Sequence, residues 1–451
     1  MKQYLNVAQI IINEGMVQEN RTGVDTLSVF GREMRFDLLD GFPAPTTKRG
    51  FFKGAKVELS WMLKGLTNTS YLKEHGVNFW DKWAIEGERE VLKSLDSLKM
   101  DASLQGKTVD EELYAAGDVE ALTEALGFKV TDTVDDRYAM KAPDYDYVLN
   151  AICEIHGTDK AAAEQTMMAA WRNENPDADA FGITKQAVAD VNAKKLKLPS
   201  EVRVKTCEVG DLGPVYGQMI RNFPNSDGTT TDQLETLIVG LMNNPLSRRH
   251  LVDLWSPEML PDETMSPQEN VAAGKQALAP CHMLWTFKVL KATEDEKRKY
   301  LDLNYKNFRI DNLKHLVDEE MRVKGGALTH EQEYDVLLKH VPDYRLNLHT
   351  QLRSNDIPAG NPVNTMFYAL LCEVVAMQTG FIPGTLWLTA TDAHIYVDQI
   401  EGINEQLTRE PKPLPRLRIK ARRANVWDYE PDDFELVGYE CHEPIKFAVA
   451  K

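Results

Sequence analysis

The sequence predicts a mixed α/β protein interrupted by a long helix-rich insertion. Three observations carry that class: stretches with period-two alternation, such as "TLSVFGREMRFDL" at 26–38; apolar runs of helical length closed by glycine, such as "NTMFYALLCEVVAMQTG" at 364–380; and an abrupt change of character between about 87 and 207. With 451 residues, 43% hydrophobic and 27% charged, the chain is long enough for one large core with additions, or for two to three ordinary domains.

In chain order, residues 3–14 place Leu5, Ile10, Ile11 and Ile12 on a helical face that ends at Gly15, and 26–38 alternates like paired strands. "AKVELSWMLKG" at 55–65 reads as an apolar helix closed by Gly65, with one carboxylate, Glu58, inside it. From 88 to 205, 23 Asp and Glu stand against 15 Lys and Arg, a balance of −8 within a chain whose total is −17. "VEALTEALGF" and "YVLNAICEIHGTDKAAAEQTMMAAWRNENP" have helical spacing, so 87–207 reads as an acidic helical insertion without a grouping that suggests chemistry. A second polar stretch, 291–343, also reads as added helices, which leaves 1–86, 208–290 and 344–451 as the core. Near the end, "TLWLTATDAHIYV" at 385–397 is strand-like.

Composition excludes several classes. No apolar run approaches the length of a membrane span, and "MKQYLNVAQIIINEG" is broken by polar residues, so the expectation is a cytoplasmic protein with neither a secretory signal nor an anchor. Five scattered cysteines, Cys153, Cys207, Cys281, Cys372 and Cys441, form no C-x-x-C pair, so reduced thiols and no zinc or other metal are expected. The net charge of −17 disfavours nucleic acid as a partner.

Chemistry concentrates in a few short motifs. A cysteine in an apolar run is usually a small core residue, which suits Cys153 and Cys372. Cys281, in "ALAPCHMLW", follows Pro280, which cannot donate to a sheet ladder, so its thiol belongs at an accessible strand end. To attack, a thiol with an ordinary pKa of about 8.5 needs cations nearby. "NRTG" supplies Arg21, "SRRHLV" supplies Arg248 and Arg249, and "QLRSND" supplies Arg353 beside Ser354 and Asp356; four arginines in polar turns suit a dianionic phosphate. In "DAHIY", His394 and Tyr396 lie two apart on a strand, hence on one face, where both can hydrogen-bond a hydroxylated ligand.

The order of these motifs resembles the thymidylate synthase family. The resemblance runs through "NRTG", "TTKR", "WDKWA", "DLGPVYG", "SRRH", "ALAPCH", "RSNDIPAGNPVN", "DAHIY" and the terminal "GYECHEPIKFAVAK", and leaves both inserts uncovered. It implies a large mixed sheet backed by helices, two such sheets stacked in a homodimer, and one-carbon transfer from 5,10-methylenetetrahydrofolate, the co-substrate, to C5 of dUMP without a metal. By the same resemblance Cys281 is the nucleophile that adds to C6, Glu58 relays protons, and Tyr216 and Asp356 complete the catalytic set. Arg21, Arg353 and Ser354 match phosphate-binding positions, with Arg248 and Arg249 donated across the dimer. His394 and Tyr396 match the binders of the deoxyribose hydroxyl. Trp80, Trp83, Asp356 and Gly360 match folate-site positions, and Lys48 a contact to the folate tail. Asn364 matches the base reader: an amide complements O4 and N3–H of uracil, while relatives acting on deoxycytidylate carry aspartate there. The same residue type also suits a cap on a helix over 365–379.

Three departures bear on the product. "QMIRNF" stands after "GPVYG" where the family commonly has Gln-Trp-Arg, Ala390 and Thr391 replace a glycine pair before Asp392, and Lys451 replaces a small aliphatic residue. Hydride transfer to the methylene intermediate gives dTMP and dihydrofolate; capture by water gives 5-hydroxymethyl-dUMP and tetrahydrofolate, the route of hydroxymethylases typical of bacteriophages with modified DNA. Retained Trp80 favours dTMP. A non-catalytic nucleotide-binding homologue is the remaining alternative, and the intact set of Cys281, Glu58, Asn364 and arginines argues against it.

Overall fold

A computed structural model describes residues 1–20, 23–86, 208–227, 229–305 and 314–447; between 87 and 207 it describes the strands Arg89–Ser94, Lys129–Val134 and Glu201–Cys207 and a few isolated positions. The core elements are α1 (Lys2–Glu14), β1 (Met16–Gln18), β2 (Thr26–Asp37), α2 (Phe52–Leu63), α3 (Tyr216–Arg221), α4 (Gln233–Asn243), β3 (Leu251–Asp253), β4 (His282–Lys291), β5 (Tyr344–Asp356), α5 (Gly360–Thr379) and β6 (Ile382–Tyr396). The strands form one mixed sheet in the order β1-β2-β6-β5-β4-β3. Only β5 and β6 run parallel. A parallel pair needs a crossover, and α5 supplies it: residues 365–376 are buried without a break, the pattern of a helix covered on every side. Gly380 ends it in the left-handed region at φ +78°. α2 packs on α5 and also buries its carboxylate-bearing turn around Glu58.

The face of the sheet away from α5 is polar and aromatic. Arg35 lies 4.4 Å over the Trp387 ring, His349 stacks 4.2 Å from the same ring, and Glu33 accepts from Trp387 Nε1 at 2.6 Å. Phe30 on β2 is 86% exposed.

Several local expectations change. In α1 the buried residues are Tyr4, Val7, Ala8 and Ile11, because three consecutive isoleucines turn through about 200° and cannot share one face. Residues 26–37 form one long strand rather than a pair. α5 starts at Gly360 with Ala359 as its N-cap, so Asn364 sits inside the helix and does not cap it. The expected helical insertion over 87–207 is entered and left by strands: Arg89–Ser94 pairs antiparallel with Glu201–Cys207, Arg89 opposite Cys207, and Lys129–Val134 adds a third strand. "REVLKS", "KVTDTV" and "EVRVKTC" are short, polar and β-branched, a signature that the surrounding helical spacing masks. Leu122, Thr123 and Ala125 are helical, while Cys153 and the helix expected from 147 onward lie outside the described residues.

Residues 291–343 carry the helices Glu294–Tyr305, Lys314–Lys324 and His330–Leu338. Leu301, Val317, Val336, Leu337 and Val341 cluster there against Leu39 and Ile382 of the core. Among the described residues no helix is long and apolar enough to cross a membrane.

Candidate active site

Cys281 sits half-buried in the turn just before β4. Pro280 has no N–H to give, and its carbonyl is taken up from outside the turn. Arg353, on the neighbouring β5, donates from Nε to Pro280 O at 2.8 Å and from Nη2 to Ala279 O at 3.0 Å, while its backbone N–H donates to Cys281 O at 2.9 Å. From the other side the Cys281 backbone N–H donates to Tyr216 Oη at 2.9 Å. The thiol is therefore carried on a backbone pinned by a guanidinium and a phenol.

Tyr216 opens α3 fully buried, and burial, then the neighbouring Cys281, pushes its phenol well up. Its ring meets Trp80 at 5.7 Å and His282 at 5.2 Å, both edge-on. Trp80 links this cluster to Glu58 by donating from Nε1 to Oε1 at 2.9 Å. Glu58 is 5% exposed, and burial raises its carboxyl to about 7 against the opposing Trp80 hydrogen bond. It is thus poised to hold or release a proton near neutrality.

His282 lies beneath this layer. Its Nδ1 is 2.5 Å from Tyr368 Oη, which also accepts from Trp285 Nε1 at 3.1 Å. An indole is a donor only, so Tyr368 Oη accepts from Trp285, and the direction of its bond with His282 Nδ1 follows the imidazole tautomer. Burial lowers His282 to about 4, so the ring is neutral at pH 7. Tyr368→Phe strips the buried Trp285 N–H and His282 Nδ1 of their partner; the expected cost is about 1–3 kcal/mol, read from the midpoint of urea unfolding.

At the ends of β5 and β6 a second cluster forms. Their parallel register sets Ser354 opposite Asp392 and Asp356 opposite His394, and β2 brings Ser28 opposite His394. Asp392 accepts from Ser28 Oγ at 2.5 Å and Ser354 Oγ at 2.9 Å and contacts His394 Nδ1 at 3.1 Å. Although partial burial opposes it, the hydrogen bonds from His394 and Ser28 hold this carboxyl down at about 2. Asp392 therefore stays ionised and stabilises the cluster until pH falls through that value. His394 and Tyr396 meet edge-on at 5.2 Å.

Asp356 is half-buried and raised by desolvation, and accepts from Ala359 N at 3.0 Å and Gln399 Nε2 at 3.1 Å. Lys48 is 6% exposed, donates to Pro358 O at 2.5 Å and lies 4.2 Å from the Phe447 ring; burial lowers it to about 8. The expected tail-facing cation is thus turned inward, because the segment 439–447 packs over the 45–50 loop: Tyr439 Oη donates to Pro45 O at 2.5 Å and His442 N to Thr46 O at 2.9 Å. Trp83 stands 5.7 Å from Trp80. A Cβ on Gly360 would lie 3.6 Å from Asp356 Cβ and 3.9 Å from Asn364 Nδ2, which sets that glycine between the two.

The family model described as Thymidylate synthase matches residues 2–451. This chain belongs to the thymidylate synthase family. It is similar to a thymidylate synthase of Pseudomonas fluorescens (strain SBW25), 29% identical over 450 residues and covering the full length of both chains. Of the positions that the sequence matched to thymidylate synthase, Cys281, Tyr216, Trp80, Glu58 and Arg353 are tied together by direct contacts, and Ser354 and His394 meet through Asp392. Arg248 and Arg249 are exposed on the loop between α4 and β3, and no described contact ties them to the Cys281 turn. Arg21 and Lys451 lie outside the described residues. Of the departures thought to border the intermediate, Ile220 is fully buried in α3 and Thr391 is exposed.

Sequence reading passed over His282, Tyr368 and Asp392. His282 and Asp392 stand inside quoted motifs, and their polar character in apolar surroundings was the available signal. Tyr368 had none, since a tyrosine within an apolar helix looks like any core aromatic. Among the described residues no group of three or more His, Cys, Asp or Glu could hold a metal ion.

Proposed function

We propose that the protein is a thymidylate synthase: it transfers a one-carbon unit from 5,10-methylenetetrahydrofolate to C5 of dUMP and yields dTMP and dihydrofolate. The observation that carries this reading is the pairing of a pinned Cys281 with Glu58, a buried carboxyl of pKa about 7 joined to the Cys281 turn through Trp80 and Tyr216.

The residues present fit both ligands. For dUMP, Asn364 offers a donor and an acceptor to the pyrimidine edge, His394 and Tyr396 address the sugar hydroxyl, and Ser354 and Arg353, with Arg21 and the partner-facing Arg248 and Arg249, address the phosphate. For folate, Trp80 and Trp83 offer flat aromatic faces beside the carboxylate of Asp356, with Gly360 leaving room between, while Lys48 stays turned inward on Pro358 O. Folate supplies the carbon and the hydride.

The Cys281 thiolate forms a bond to C6, and the C5–C6 π pair moves toward C5 and O4 as an enolate, stabilised by the Asn364 amide. After C5 has taken up the carbon unit, the C5 proton is passed to a base and the Cys281–C6 bond breaks as the thiolate leaves. Glu58, near neutrality in its buried site, serves these proton transfers. The neutral His282–Tyr368 pair keeps the floor under the turn in place.

The protein acts as a cytoplasmic homodimer in this reading. What supports the dimer is the open aromatic face of the sheet around Trp387, His349 and Arg35 and the exposed arginine pair beside its edge strand. Arg353→Lys keeps the charge and loses the fork that spans Ala279 and Pro280; KM for dUMP is expected to rise roughly 10-fold or more and kcat to fall with it, measured by steady-state kinetics.

The test is a product assay with dUMP and methylenetetrahydrofolate, resolved by liquid chromatography and mass spectrometry. dTMP with dihydrofolate is the expected result. 5-Hydroxymethyl-dUMP with tetrahydrofolate would instead make the protein a dUMP hydroxymethylase.

A further inference from the structure

Gln399 closes the short turn Val397–Gln399 that follows β6, and its side chain is buried. Its Oε1 accepts from the Tyr396 backbone N–H at 3.2 Å, and its Nε2 donates to Asp356 Oδ2 at 3.1 Å, 43 positions back in the chain. The sense of this amide is fixed at one end. A backbone N–H can only donate, so the atom facing Tyr396 is the oxygen and the NH2 faces Asp356. Turning the amide round would set donor against donor at Tyr396 and oxygen against oxygen at Asp356.

The turn by itself does not call for glutamine. Glutamate at this third position closes the same box on the Tyr396 N–H equally well, but it cannot face an ionised Asp356 with a hydrogen, and two carboxylates there repel. Asp356 Oδ1 accepts from Ala359 N at 3.0 Å. The titratable groups facing Asp356 are Lys48 from the 45–50 loop, His394 from β6 and Tyr4 from α1. Each is bonded elsewhere: Lys48 Nζ to Pro358 O, His394 Nδ1 to Asp392 and Tyr4 Oη to Gln406 Oε1. Among the described residues, Gln399 is therefore the side chain that donates to Asp356. One hydrogen on each oxygen fixes the plane of the carboxylate and leaves it further lone pairs for the N–H groups of a ligand.

We propose that Gln399 is a positioning residue that presents the Asp356 carboxylate to folate as a hydrogen-bond acceptor. This rests on the reading of Asp356 as a folate-site residue and adds the neighbour that keeps it an acceptor. Burial raises the Asp356 carboxyl, and the hydrogen bonds from Ala359 and Gln399 pull against that rise.

The test uses titration calorimetry between pH 5.5 and 8 on the full-length protein, Gln399→Met and Gln399→Glu. It measures the binding of dUMP, and then of folic acid to the dUMP complex. Wild type is expected to bind both. Gln399→Met fills the space without a donor; at pH 7 folic acid is expected to bind about 10-fold more weakly. That deficit grows toward pH 5.5, because the unsupported carboxyl takes up a proton sooner. Gln399→Glu keeps the acceptor for the Tyr396 N–H and sets an oxygen against Asp356 Oδ2. Its deficit is expected to run the other way, largest at pH 8 and shrinking as pH falls, when one proton shared by the two carboxyls restores the bridge. dUMP is expected to stay within about 3-fold of wild type in both variants. Glutamate is nearly the size and shape of glutamine, so that arm holds should the methionine variant be unstable. Folic acid binding unchanged in the variants, deficits that do not vary with pH, or parallel loss of dUMP and folic acid would each overturn the positioning role. A wild-type dUMP complex that binds no folic acid overturns the folate reading of Asp356 and the positioning role with it.

Discussion

Cys281→Ala is expected to abolish product formation, by roughly 10⁴-fold or more in kcat, while leaving dUMP binding within a few-fold of wild type. Covalent addition at C6 is the step that makes C5 nucleophilic, and no other described side chain is placed to substitute for it. The pinning contacts to the turn come from the Cys281 backbone, not from its side chain: the N–H meets Tyr216 Oη and the C=O meets the Arg353 N–H. The alanine variant therefore keeps the turn, and its folding should be intact. The measurement is single-turnover dTMP formation alongside calorimetric titration with dUMP. A variant that retains a tenth of wild-type activity would show that Cys281 is not the nucleophile.

Glu58→Gln separates catalysis from stability. Its kcat is expected to fall about 10²- to 10³-fold, because the amide can neither hold nor release the proton that the carboxyl exchanges. Stability should move the other way. Burial raises the folded-state carboxyl to about 7 from an ordinary 4.5, so between those values the folded protein binds more protons than the unfolded chain. Its stability therefore falls as pH rises from about 4.5 through 7 and is level above. The shift corresponds to about 3 kcal/mol as an order of magnitude. The glutamine variant escapes this cost while its side-chain oxygen still accepts from Trp80. At pH 8 the variant should outlast wild type in urea, and the gap should shrink toward pH 5. Equal pH dependence in the two proteins would show that Glu58 is not the titrating group.

The sequence carried the element types well where apolar periodicity was long. α2 and α5 were visible as apolar runs closed by Gly65 and Gly380, and each buries nearly its whole surface. It failed where local signal is short or ambiguous. Three adjacent isoleucines in α1 misplaced the buried face, and the polar strands at 89–94, 129–134 and 201–207 were hidden in a helix-like background.

For the site, local chemistry and proximity part ways. By itself the sequence determined which groups are able to react: a thiol after a proline at a strand end, a lone carboxylate in an apolar helix, an amide ahead of a helical run, arginines in turns. These follow from residue type and from neighbours a few positions away. Only the tertiary structure decided what meets what. Arg353 reaches back across 72 positions to the turn at Cys281, Asp392 gathers Ser28, Ser354 and His394 because β5, β6 and β2 are adjacent in one register, and Lys48 turns inward because the 439–447 segment packs over it. The protonation of Glu58, His282 and Asp392 was likewise set by tertiary structure, since burial and hydrogen-bond partners from distant strands and helices determine where each group titrates.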